Sequence, residues 1–145
     1  MSWKRSAKTS AYQPEDRGQG RSNSGIYAQG RYEVQILDSY GLEGRDNECG
    51  GIYSVARPLV NMAASPLEWQ AYDITFQAPV IEGGKVVKLP RMTVLHNGVK
   101  IHDDLEIPRT TGASMSGEMT PTGPLFLQDH SHAVEYRNIW IEELR

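Results

Sequence analysis

Alternation of apolar and polar residues, rather than a helical repeat, organises this chain from Gly25 onward. Residues 31–37 show it most clearly. Tyr32, Val34 and Ile36 fall on one side of an extended segment, and Glu33, Gln35 and Leu37 on the other. Residues 72–77 repeat the pattern, with Tyr72, Ile74 and Phe76 opposed to Asp73, Thr75 and Gln77. Residues 91–95 and 99–102 flank His96, Asn97 and Gly98. Asn-Gly offers two positions that accept positive φ, so a tight hairpin is expected there. Further strands are expected at 24–27, 50–55, 125–128 and 134–144, the last built round an Ile139, Trp140, Ile141 core segment. Residues 59–66 have room for one short helical turn before Pro66. Short strands joined by turns predict an all-β fold, an antiparallel β-sandwich or jelly roll.

Two stretches depart from this pattern. Residues 1–24 contain no Ile, Leu or Val, and Lys4, Arg5, Lys8, Arg17 and Arg21 outnumber Glu15 and Asp16. Such a segment buries too little apolar surface to offset its ordering entropy. Residues 108–124 (PRTTGASMSGEMTPTGP) are too rich in Gly, Pro, Ser and Thr for a regular element, and long for a connection inside a domain. A loop of that kind is expected to be mobile and to rim a binding site.

Composition narrows the possibilities. With 145 residues, 39% of them hydrophobic, one core is expected. The net charge is −3 and the basic residues are scattered, which argues against a nucleic-acid footprint. No apolar run approaches the roughly 18 residues of a membrane span, and the opening MSWKRSAKTS carries charge without the apolar stretch of a signal peptide. Read on its own residues the chain is therefore expected to be cytoplasmic. The single cysteine, Cys49, excludes an internal disulfide and a multi-cysteine zinc site, and between polar and glycine neighbours it is expected to be a small buried residue.

Known catalytic frames are missing. GQGRSNSG has glycines, but no strand precedes it and no helix follows, and no serine sits in a Gly-x-Ser-x-Gly frame. The informative feature is polar density on core-forming strands: Asn23, Glu33, Gln35 and Asp38, then Gln128, Asp129, His130, His132, Arg137 and Asn138. A polar sheet face of this kind suits a carbohydrate. The plain reading of Glu33 and Gln35 is a solvated outer face. That of His130 and His132 is a polar turn, that of Arg137 an ion-pairing strand residue, and that of His96 a hairpin position without further role. Trp69 and Trp140 have the flat apolar faces that stack on sugar rings, with core packing as their default use.

The segments RGQGRSNSGIY (17–27), RYEVQILDSYG (31–41), GGIYSV (50–55), EWQAYDITFQAP (68–79), TVLHNGVKIHDD (93–104) and GPLFLQDHSHAVEYRNIWIEEL (123–144) run in order along the chain. Together they resemble the 3-keto-disaccharide hydrolase family. The resemblance implies a concanavalin A-like jelly roll over residues 17–145, preceded by a poorly ordered segment over 1–16. Family members open with a secretion signal and several strands before the segment matching Arg17. The chain is thus expected to lack its N-terminal strands, to self-associate through the bared sheet edges, and to derive from a periplasmic or secreted enzyme.

The activity implied is cleavage of 3-keto-glycosides. A C3 ketone acidifies the C2 proton, a base removes it, the C1 substituent leaves by elimination, and water adds back. Carried over by motif, Glu33 and His130 are the candidates for proton transfer. Asn23, Gln35, Asp38, Gln128 and Arg137 are the groups that orient sugar hydroxyls or meet developing charge. A divalent ion on Glu33, Asp38, His130 or His132 is one way to polarise the ketone, although no strong ligand spacing calls for it. The alternative is a non-catalytic carbohydrate-binding β-sandwich. The two differ in whether Glu33 and His130 share one concave pocket.

Overall fold

The computed structural model describes residues 2–9 and 22–144. Its strands, in chain order, are β1 (Ser2–Thr9), β2 (Asn23–Ala28), β3 (Tyr32–Leu37), β4 (Trp69–Gln77), β5 (Val80–Glu82), β6 (Lys85–Lys88), β7 (Arg91–His96), β8 (Val99–Glu106), β9 (Phe126–Leu127) and β10 (Val134–Glu142). No helix occurs among the described residues. Accordingly none is long and apolar enough to cross a membrane. A five-stranded sheet ordered β10-β1-β4-β7-β8 and a three-stranded sheet ordered β3-β2-β9 are antiparallel throughout. They share one core: Ile26, Tyr32, Val34 and Ile36 from the smaller sheet meet Tyr72, Ile74, Phe76, Met92, Val94 and Ile101 from the larger. The fold is the expected antiparallel β-sandwich.

Local chemistry accounts for the elements that alternate. The β2–β3 hairpin turns through Gln29 and Gly30, both at positive φ. The β7–β8 hairpin turns through Asn97 and Gly98 at φ 50° and 81°, the two positive values that the Asn-Gly pair predicts. Residues 50–55 are a turn rather than a strand. Positive φ at Gly50 and Ser54 breaks the extended run, leaving isolated bridges from Ile52 to Val34 and Ala56. No helical turn forms at 59–66, because Asn61 spends its amide on the Ser39 and Leu42 carbonyls and on the Ala63 N–H.

Two further expectations change. Residues 2–9, inside the stretch 1–16 expected to lack order, run as β1 with β10 on one side and β4 on the other. Backbone pairing on both edges places a strand here that its apolar content does not announce. Residues 10–21 lie outside the described residues, as do the opening positions of the Arg17 motif. The Ile139, Trp140, Ile141 segment is exposed and not core. Ile141 is in register with Trp3, and Trp3 with Ile74, so Ile141 belongs to the inner face of the large sheet. Three strands do not cover the inner face of five, and β10 is the edge left bare by the described residues. The small β5–β6 hairpin, exposed except at the half-buried Ile81, is an element the alternation does not announce.

Residues 108–124 form no regular element, as expected, yet they are tied down. Thr111 N–H donates to Arg31 O, Met115 N–H to Gly30 O, and the Arg31 guanidinium to Glu118 O. The loop is thereby strapped to the β2–β3 turn, beside the site described next.

Candidate active site

The β2–β3 register sorts the hairpin into two faces. Asn23 pairs with Leu37, Gly25 with Gln35 and Tyr27 with Glu33, so all six share one face. The intervening Ser24, Ile26, Ala28, Tyr32, Val34 and Ile36 point away from it, and the hydrophobic ones enter the core. The first face is the outer surface of the smaller sheet, and it is not solvated. Glu33 and Gln35 are each only 3% exposed. Residues 108–124, the turn around 47–53 and the segment after β9 rise around it and leave a cleft of about 360 Å³. Its walls include Asn23, Tyr27, Glu33, Gln35, Asn47, Tyr53, Gly112, Ala113, Gln128 and His130. The plain reading of a solvated face is therefore wrong for Glu33 and Gln35.

Glu33 is held by its backbone on the free edge of β3. Its N–H donates to Thr111 Oγ1 at 3.0 Å, and its carbonyl accepts from Tyr53 N–H at 3.2 Å. Burial pushes its carboxyl up to about 7 from the usual carboxylate range, and hydrogen bonding with Tyr27 pulls the other way. Burial, reinforced by the neighbouring Glu33 charge, raises the Tyr27 phenol well above its ordinary value, so it stays neutral. The Tyr27 hydroxyl donates to Gly112 O at 3.0 Å and accepts from Gln128 Nε2 at 3.1 Å.

The amides beside Glu33 are half-used. Gln35 Nε2 donates to Asn47 O and Gln128 Nε2 to Tyr27, while Gln35 Oε1, Gln128 Oε1 and Asn23 Oδ1 are buried with no partner. Three unpaired carbonyl oxygens round one carboxyl form an acceptor-rich wall suited to hydroxyl donors.

Of the residues singled out from sequence, the cleft brings together Asn23, Glu33, Gln35, Gln128 and His130. His132 stacks on His130 with ring centroids 5.5 Å apart. Asp38 and Arg137 are not among the lining residues. Asp38 follows Leu37 beyond the end of β3 and is buried, while Arg137 lies on β10 of the other sheet, its guanidinium 3.7 Å from the centre of the Trp69 ring. Closeness in sequence to Glu33 and His130 did not carry either one into the site.

Tyr27, Asn47, Tyr53 and Gly25 were missed. Pairing 24–27 with 31–37 across Gln29 and Gly30 would have set Tyr27 against Glu33 and exposed two of the four. Glu33 and His130 alone of the four candidate ligands for a divalent ion line the cleft, and among the described residues no group of three or more His, Cys, Asp or Glu is placed to hold one.

No curated protein matches the chain. A solved structure of a candidate glycosyl hydrolase from Parabacteroides distasonis ATCC 8503 is similar at 35% identity with a TM-score of 0.80, over 99% of this chain. This chain spans 63% of the length of that protein. A second candidate glycosyl hydrolase from the same organism is 18% identical with a TM-score of 0.63, over 95% of this chain and 67% of the other, and bears on the fold alone. A family model described as the 3-keto-alpha-glucoside-1,2-lyase-like domain matches residues 3–142, and the chain belongs to that family.

Proposed function

We propose that the chain is a glycoside-cleaving domain acting on sugars oxidised at C3, with Glu33 as the base that removes the C2 proton. One observation carries the reading. A carboxyl that burial pushes up to about 7 lies in a cleft whose remaining unpaired groups are hydroxyl acceptors. A base raised to about 7 is half-ionised at working pH and strong enough for a proton made acidic by an adjacent ketone. The family membership supplies the class of substrate.

The step balances on this chain's own residues. Glu33 takes the proton from C2, the C2–H electron pair forms the C1–C2 double bond, and the C1–O pair leaves with the departing oxygen. His130, on the same cleft, donates the proton that this oxygen needs. Addition of water across the double bond, hydroxyl to C1 and proton to C2, completes a net hydrolysis. Charge that builds on the C3 oxygen requires a neutral donor close to the base, and the Tyr27 phenol becomes one when its hydrogen turns from Gly112 O to the substrate. Asn23, Gln35 and Gln128 take the sugar hydroxyls on their free oxygens.

A cleft with an ionisable pair favours catalysis over the non-catalytic binding module, for which a flat face with aromatic rungs is the expected form. The test is turnover of a 3-keto-glucoside by the purified protein. Activity is expected to rise with pH through about 7 as Glu33 ionises. Saturable binding of the sugar without release of the aglycone would replace the enzyme with a binding module.

A further inference from the structure

We infer that Gly25 is a positioning residue: the side chain it lacks is the space in which the Glu33 carboxyl lies. Gly25 sits mid-strand on β2, opposite Gln35 and diagonal to Glu33 on the cleft face. A Cβ built there would overlap Glu33 Oε1, and would stand 2.9 Å from both Glu33 Cδ and the Tyr27 ring carbon Cε2. Contacts that short require one group to move.

Backbone conformation does not explain the glycine. Gly30, Gly50 and Gly98 occupy positive φ, where glycine is favoured; Gly25 is absent from that set and pairs as ordinary strand. A glycine inside a strand weakens it relative to alanine, so one placed without a conformational need marks a close approach by something else. Here the approaching group is the carboxyl.

The same residue seats a second cleft group. Gly25 O accepts from Gln128 N–H at 3.0 Å, which fixes the residue whose amide bridges to Tyr27. A methyl group at position 25 would push the carboxyl off the sheet, away from Tyr27 and toward the open cleft. The seat is a geometric statement; its catalytic consequence rests on Glu33 being the base.

A stability cycle tests the seat without reference to activity. Gly25→Ala is expected to lower the urea midpoint of the wild-type chain by clearly more than that of a Glu33→Ala background, where the carboxyl overlap is gone and only the contact with the Tyr27 ring remains. Equal losses in both backgrounds would overturn the inference. So would failure of the double variant to fold when Glu33→Ala folds.

The second measurement is the ¹³C titration of the Glu33 carboxyl, which is expected to move from about 7 toward the usual carboxylate range in Gly25→Ala. An unmoved titration would show that the carboxyl never occupied the seat. With turnover established, the rising limb of the pH–rate profile should shift to lower pH alongside, with kcat falling tenfold or more and KM changing less. Coupling in the stability cycle together with no turnover by any variant would leave the seat standing and remove the catalytic reading.

Discussion

Two buried polar clusters lie in this one sandwich, and they solve the problem of burial differently. On the inner side, His96, completely buried, stacks on Tyr72 and shares a hydrogen bond with Gln70 Oε1, which also accepts the Ala64 N–H. Tyr72 OH meets Cys49 Sγ at 3.1 Å, and His102 Nε2 donates to Gly50 O at 2.7 Å. Most of that cluster's hydrogen-bonding capacity is used internally, His96 Nδ1 being its one unpaired buried atom. On the outer side, Glu33 sits among three amide oxygens with nothing to bond. Burial alone therefore does not distinguish a site from a core. What does is several unmet groups of one kind converging on open space.

The two clusters also respond oppositely to protons, from a single cause. Burial disfavours charge, so it raises the Glu33 acid to about 7 and lowers the His96 base to about 4. Near neutral pH the imidazole is fixed as neutral while the carboxyl is poised between forms.

The largest expected effect breaks the cleft cluster. Glu33→Gln should cut turnover of a 3-keto-glucoside by about 10²–10⁴-fold, the usual contribution of a positioned base. The same change should stabilise the protein. Below pH 4.5 both the folded and the unfolded chain hold the Glu33 proton, and between 4.5 and about 7 the unfolded chain releases it first, so wild-type stability falls as pH rises. Above pH 7 the accumulated penalty is about 3 kcal/mol, and glutamine escapes it. Urea melts of both proteins at pH 4.5 and 8 measure the difference. Wild-type turnover by the variant would take Glu33 out of the mechanism.

Next comes the other face of the same strand. Ile36→Ala should cost about 2–5 kcal/mol, because Ile36 is buried in the shared core. Gln35, its neighbour, points into the cleft, and Gln35→Ala should weaken sugar binding with little change in the denaturation midpoint. A large stability loss at Gln35 with indifference at Ile36 would mean that the two faces are exchanged.

Much of this was legible from residues alone where the signal was local. Alternation in β3 and β4 and the Asn-Gly pair between β7 and β8 identify elements without knowledge of their neighbours. Where placement depends on distant partners, the pattern fails. Strand β1 is positioned by hydrogen bonding to β4 and β10, and β5–β6 is exposed except at Ile81, so neither needs alternation. Within the site, Glu33 and Gln35 stood out as polar residues on a core strand, whereas Asn47, Tyr53 and Gly112 arrive on turns from elsewhere in the chain. His96 was misread although the signal was present: Met92, Val94 and His96 alternate, and all three are buried.

The sealed cluster gives the third prediction. The unfolded chain binds a proton to His96 near pH 6.5 and the folded chain only near 4, so this residue's contribution is intact above 6.5 and is lost as pH falls toward 4. The full loss is about 3 kcal/mol. His102, also lowered by burial, adds to it in the same direction. Glu33 acts oppositely between pH 7 and 4.5, so the slope is best read in the Glu33→Gln background. His96→Leu in that background should flatten it, and an unchanged slope would place the acid sensitivity elsewhere.

The smallest effect concerns a residue that belongs to the core face by register but not by cover. Ile141 shares the inner face with Ile74, yet it is 49% exposed while Ile74 is buried. Apolar area contributes to stability only when water is removed from it, so identical side chains on one face should differ sharply in worth. Ile74→Ala should fall in the range of about 2–5 kcal/mol typical of buried large-to-small changes. Ile141→Ser should stay within about 0.5 kcal/mol of wild type. Denaturant melts of the two variants, side by side, check the contrast. A cost at Ile141 approaching that at Ile74 would mean that β10 is covered in solution, and that the bare end of the large sheet is filled.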